Sequence, residues 1–221
     1  MVNRPYTYKL TAPPENDAVT LETFKKHIKR TNTNEDLLLS KYLKASIKFC
    51  EALTRRDFIT RTYITYRDFF PVACQNEGFY QNGVIPNYRN GFNSGPSSNV
   101  GFEIRRSPLQ SVTQIQYYVS GVLTLLDSTT YYNTTEEDYS SILAVSDWPY
   151  DCDNRLQAIQ ITVVIGYGDN DTDVPEDISN AILELATALW VNRGDCSDSG
   201  CSKAIPSNAK RTLLQYRIEN L

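Results

Sequence analysis

At 221 residues, with 41% hydrophobic and 22% charged side chains, the chain is long enough to bury a real core, either as one elaborated domain or as a helical domain carrying a β insertion. Its longest apolar runs, 159–165 and 178–190, are too short or too interrupted to span a bilayer, and residues 1–10 lack a charged segment followed by an apolar core, so the expectation is a soluble, unsecreted protein. Charge is uneven: residues 1–67 hold 13 Lys+Arg against 7 Asp+Glu, a net of +6, and the remainder holds 9 against 19, a net of −10. Such a division suits either solvated faces of different sign or a head-to-tail contact in which one copy's basic helices meet another copy's acidic β region.

Pro5, Pro13 and Pro14 make the first residues an extended arm. Thr20 then offers its hydroxyl as an N-cap, and Leu21, Phe24 and Ile28 recur at helical spacing to residue 30. Asn32-Thr33-Asn34 turns the chain, with Asn34 as the next cap, and a second helix carries the stripe Leu38, Tyr42, Ala45, Phe49, Ala52 and Leu53 to about residue 55. So short a link makes the two helices a hairpin. Residues 58–70 change to β-branched and aromatic residues at period two, a strand. Residues 76–101 hold five of the ten glycines, six asparagines and two prolines, yet also Phe79, Tyr80, Tyr88 and Phe92. Fixing a loop of that length costs more than four aromatics return, so either a long hairpin folded on its own subunit or a loop ordered by a partner fits.

Strands follow at 102–106, 112–119 and 122–126, the last two joined through Ser120-Gly121 in a hairpin. Tyr131-Tyr132, 142–145 and 157–165 add up to three more, with Ile159, Ile161, Val163 and Ile165 on one face of the last. Asp173 caps a helix whose first turn holds Pro175, Glu176 and Asp177, and whose core face is Ile178, Ile182, Leu185 and Leu189. Gly194 ends it, 196–200 is a polar loop, and 206–220 forms one last amphipathic helix. The fold class expected is α+β: a helical bundle, made of the N-terminal hairpin and the C-terminal helices, with a central antiparallel β insertion. The boundaries are 1–56 with 167–221 for the helical part and its terminal arms, and 57–166 for the inserted β part with its long loop at 76–101.

Familiar chemistry is hard to place. Asp169, Asp171 and Asp173 have the spacing that opens a calcium loop, but Val174 stands where the turn glycine belongs and Asn180 where the bidentate Glu belongs. Gly166-Tyr167-Gly168 lacks the third glycine and the context of a dinucleotide loop, and neither a Gly-Lys-Ser/Thr nor a Gly-x-Ser-x-Gly occurs. Glu136, Glu137 and Asp138 read as a polar turn. Five cysteines without Cys-x-x-Cys spacing and the single His27 leave too few ligands for zinc, so free thiols are expected, with no metal, cofactor or catalytic residue. The basic cluster Lys25, Lys26, Lys29 and Arg30 allows contact with passing DNA, but a pI near 5.1 does not suit a sequence reader.

Five pieces occur in a telling order: Val19-Thr20-Leu21-Glu22-Thr23-Phe24-Lys25; Asn34-Glu35-Asp36-Leu37-Leu38 opening a long helix; Arg56-Asp57-Phe58-Ile59-Thr60-Arg61-Thr62-Tyr63; Arg106-Ser107-Pro108-Leu109-Gln110-Ser111-Val112 with Ile115-Gln116-Tyr117-Tyr118; and Ile165-Gly166-Tyr167-Gly168 with Asp173-Val174-Pro175-Glu176-Asp177-Ile178. Over residues 19–193 this resembles the head-tail connector (adaptor, head-completion) proteins of tailed bacteriophages. The departures are 76–101 and the loop from Cys196 to Cys201. The resemblance implies a non-enzymatic virion protein, made in the host cytoplasm, forming a ring of usually twelve copies beneath the portal. Such a ring extends the DNA channel and presents a platform to the next tail or head-completion protein, away from any membrane.

The candidate portal or inter-subunit residues are Lys25, Lys26, Lys29 and Arg30, the loop aromatics Phe79, Tyr80, Tyr88 and Phe92, and the last helix's Lys210, Arg211, Leu213, Leu214, Tyr216 and Arg217. That helix either exposes Leu213, Leu214 and Tyr216 as an anchor for a partner's groove or packs on its own sheet, and the expectation is that removing 203–221 leaves a folded core. Two alternatives stand beside this reading: a carbohydrate-binding or tail-fibre module using Tyr117, Tyr118, Tyr131, Tyr132, Trp148 and Tyr150 as sugar platforms, and an unrecognised hydrolase.

Overall fold

The computed structural model describes residues 7–71, 101–135, 140–192 and 205–218, and the expectations for Phe79, Tyr80, Tyr88, Phe92 and Glu136 to Asp138 lie outside them. The class is α+β, with four α-helices and antiparallel sheets among the described residues.

Thr20 caps α1 (Leu21–His27), its hydroxyl accepting the Thr23 amide at 3.2 Å, and Phe24 is fully buried beneath it. α2 (Asp36–Thr54) has Glu35, not Asn34, at its N-cap and ends at Arg55 in the left-handed conformation. Its buried face is also not the expected one. Leu39, Leu43, Ser46, Ile47, Cys50 and Thr54 point inward, whereas Leu38, Ala45, Phe49 and Ala52 of the expected stripe are exposed. At 100° per residue both sets repeat at i, i+3, i+4 and i+7, so α2 is apolar on two sides and periodicity alone does not choose. α3 (Glu176–Val191) buries Ile178, Ile182 and Leu185 as expected, together with Ala181, Leu183 and Ala186. Asp173 does not cap α3: it closes a short turn, Asp171–Asp173, by accepting the Asn170 amide at 2.9 Å, and Pro175 precedes the helix. α2 packs on α3, and α4 (Ser207–Gln215) lies against both. Their common core also takes in Phe58, Ile59 and Val174.

The strands are β1 (Tyr8–Ala12), β2 (Arg61–Arg67), β3 (Phe102–Ile104), β4 (Leu109–Val119), β5 (Val122–Leu125), β6 (Tyr131–Thr135), β7 (Ser140–Ala144) and β8 (Ile159–Ile165). They form an antiparallel sheet of order β1-β2-β8-β4-β5 and a second of order β3-β7-β6. β1 comes from the segment expected to be an arm; it pairs with β2 through a bulge between Leu10 and Ala12. β8 lies at the centre, with Ile159, Ile161, Val163 and Ile165 buried in a core shared with Ile115, Tyr117, Phe102, Ile142 and Trp148. At about 1.5–3 kcal/mol for each large side chain buried, that face fixes the strand's register, since a slip of one residue would present Gln160 and Thr162 instead. Ser120 (φ 51°) and Gly121 (φ 80°) form the tight turn between β4 and β5.

The helical core and the sheets meet where β8 ends. Tyr167 donates its amide to Phe58 O at 3.2 Å and packs on the helical core. Gly166 has φ 138°, and a Cβ there would stand 2.7 Å from Ile59 C and Thr60 N, so only glycine lets the two segments pass this closely.

Candidate functional site

The densest polar arrangement is this joint. Asp57, with no exposed surface, accepts Arg61 Nη1 and Arg106 Nη2 on Oδ1 and Arg106 Nε on Oδ2, each at 2.7 Å, and the Tyr63 hydroxyl at 3.0 Å. Arg61 also bridges to Glu51 of α2 at 2.8 Å, and Glu51 Oε1 accepts the Phe58 amide at 3.2 Å. Burial works against the charge of both guanidiniums, but the carboxylates outweigh it and hold both above the ordinary arginine value. Burial pushes the Glu51 carboxyl up against the pull of Arg61, and it pushes up the Tyr63 phenol, helped by Asp57. Arg56 reaches Tyr216 O at 2.6 Å and Ser107 Oγ at 3.2 Å, and Ile218 donates its amide to Thr54 O at 3.0 Å. One knot therefore ties α2, β2, the segment before β4 and the end of α4. Arg56, Asp57, Arg61, Tyr63, Arg106 and Ser107 lie within the five segments singled out in the sequence, while Glu51 and Tyr216 do not, and sequence does not tell a buried ion network from a surface one. Asp57 is wholly enclosed and its carboxylate is taken up by its partners, while the Arg106 side chain keeps 34% of its surface exposed.

The expected interface residues are placed unevenly. Lys25 pairs with Asp36 at 2.7 Å, Lys26 pairs with Glu22 at 2.7 Å on the exposed surface, and Arg30 lies 5.3 Å from the centre of the Trp190 ring, so two of the four cations have an acidic partner within the chain. Lys29 is in the left-handed conformation after α1, and no such partner is found for it among the described residues. In α4, the expected exposure is corrected: Leu213 is 0% exposed in the helical core and Tyr216 packs partly against it, leaving Leu214 at 44% on the outside with Lys210 and Arg217. An amphipathic nine-residue helix must bury its apolar side somewhere, and α4 does so against α2 and α3.

The sugar-platform alternative loses its geometry. Tyr117, Tyr131 and Trp148 are core residues, Trp148 stacking on Phe70 at 5.3 Å, and Tyr118 is covered by Arg155 at 3.9 Å. Tyr132 and Tyr150 alone of the six are exposed. A cavity of about 390 Å³ is lined by Glu15, Asn16, Asp17, Thr20, Leu21, Asn170 and Asp171 and holds no histidine, cysteine or basic side chain to work with those acids. Among the described residues no cluster of His, Cys, Asp and Glu suits a metal ion, and no helix is long and apolar enough to cross a membrane.

No family model and no curated protein matches the chain. Solved structures do match. A chain of the neck of an empty gene transfer agent (GTA) particle, computed with C6 symmetry, is 16% identical over 97% of both chains with a TM-score of 0.68. A chain of the virion of a native GTA particle is 16% identical over 97% of this chain and 96% of that one, with a TM-score of 0.69. A chain of the neck of a native GTA particle, computed with C12 symmetry, is 15% identical over 97% of both, with a TM-score of 0.68. At this identity the likeness establishes a fold, and it is one that runs from end to end: the chain is built like chains of a GTA particle.

Proposed function

We propose that the chain is a structural virion protein of the head-tail neck, a connector (adaptor) subunit that forms a homo-oligomeric ring under the portal. The ring extends the DNA channel and offers a docking platform to the next tail or head-completion protein. The observation that carries this reading is the end-to-end likeness to chains in GTA necks computed with C6 and C12 symmetry. The enclosed Asp57 carboxylate at the joint, bonded to Arg106, and the burial of Tyr117, Tyr131 and Trp148 support a structural role over the hydrolase and sugar-platform alternatives.

In this reading 1–56 and 167–221 form the connector unit, and 57–166 is an insertion carried on the joint. The exposed side of α4, with Leu214, Lys210 and Arg217, belongs to the portal side. Native mass spectrometry and negative-stain microscopy of the purified chain test the ring: closed rings of about twelve copies are expected, and a chain that stays monomeric at every concentration refutes it.

A further inference from the structure

β8 ends at the joint with Ile165 and begins with Ile159 at the far side of the sheet, about 20 Å away for seven residues at ~3.3 Å each. At that far end lies the segment between β7 and β8. It exposes Tyr150 (87%), Leu156 (57%) and Val145 (59%) beside the acid Asp147, and Phe69, at the end of β2, is exposed as well. The segment is held in place: Asp153 accepts the amides of Ser120 and Gly121 at 2.8 and 2.7 Å, Gln157 donates its amide to Asp68 at 2.7 Å, and Arg155 lies on Tyr118. A fixed, acidic, apolar tip in which a tyrosine stands almost wholly in solvent is an interaction surface in want of a cover.

The complementary surface is in the same chain. Phe49, Leu38 and Ala45 form the outer apolar stripe of α2, flanked by the exposed Lys41 and Lys48, for which no ion pair is found among the described residues. This surface is on the helical unit and the tip is at the end of β8 away from the joint, and no contact between α2 and the tip is found among the described residues. We infer that the acidic tip around Asp147 and Tyr150 of one copy docks on the Lys41–Lys48 face of α2 of the next, a head-to-tail contact between copies of this chain. This rests on the ring reading and names its contact. Aromatic and apolar anchors with opposite charges around them give such a contact affinity and register, and a heterologous contact closes into a ring when its rotation divides a full turn.

Two variants with exposed substitutions test it: Tyr150→Ser with Leu156→Ser on the tip, and Phe49→Ser with Lys48→Glu on α2. Mass photometry is expected to show closed rings for the wild type and at least tenfold weaker self-association for each variant. An equimolar mixture should give dimers and nothing larger, because only one intact tip and one intact α2 face remain per pair. Independently, Asp147→Lys and Lys41→Glu/Lys48→Glu should each weaken rings, and the three changes in one chain should restore them. Rings that persist in all variants, or variants that stay monomeric on mixing and are not rescued by the charge swap, overturn the contact and leave the ring reading in place. A wild type that never self-associates removes both.

Discussion

Leu213→Ala separates a structural α4 from a detachable one. Leu213 is fully buried between α4 and its neighbours α2 and α3, in one core with Ala209 and the part-buried Tyr216. Removing its side chain should cost about 2–5 kcal/mol, the transfer loss plus a cavity that two packed helices cannot fully close. For a chain of this size each kcal/mol lowers Tm by roughly 2–4 °C, so a fall of roughly 4–20 °C is expected in a calorimetric or circular-dichroism melt. Leu214→Ala, one position on and 44% exposed, is the control and should stay within about 0.5 kcal/mol of wild type. Deleting 205–218 should cost more than Leu213→Ala, because it also removes the acceptor of Arg56 at Tyr216 O and the Ile218 amide bonded to Thr54 O. Equal melts for Leu213→Ala and Leu214→Ala would refute the reasoning and return α4 to the role of a separable anchor.

Asp57→Ala should destabilise by about 3–5 kcal/mol in urea titration, since it strips the shared carboxylate from Arg61 and Arg106 at a buried site; a loss below about 1 kcal/mol would mean that solvent reaches the joint. Gly166→Ala puts a Cβ 2.7 Å from the backbone of Ile59 and Thr60 at φ 138°, and a cost on the order of 1–3 kcal/mol is expected in the same assay. Burial pushes the Cys50 thiol up to about 12, so at pH 8 almost none is thiolate in the fold; alkylation followed by peptide mass spectrometry should find Cys50 unlabelled until denaturant is added. Rapid native labelling of Cys50 at pH 8 would contradict the placement of that face of α2.

What was legible in the sequence was whatever a local signal decides. Thr20 caps α1, Ser120-Gly121 turns the hairpin, and the alternation of β8 has a single solution because its other face is Gln160 and Thr162. The inward side of α2 was not legible, since two apolar stripes share one period and only the position of α3 chooses between them. Nor was β1, whose Lys9, Thr11 and nearby prolines read as an arm and which becomes a strand only because β2 offers an edge. The same limit applies to charge. Lys25 and Asp36 lie eleven residues apart and meet only when α1 folds back on α2, a pairing that a count of cations does not show.

That limit also explains where function can reside in such a chain. A helix that only has to hold up a monomer needs one apolar stripe, and α2 already has it in Leu39, Leu43, Ile47 and Cys50. Phe49 and Leu38 lie outside that set, 38% and 36% exposed, beside Lys41 and Lys48, for which no ion pair is found among the described residues. Tyr150, 87% exposed, likewise lies outside the β core, in the segment that Asp153 ties to the amides of Ser120 and Gly121. Stability accounts for one stripe of α2 and for the joint around Asp57; the second stripe and the tip are what remains when stability has been satisfied. In a protein with no open reactive site among its described residues, that remainder is where its work must be sought.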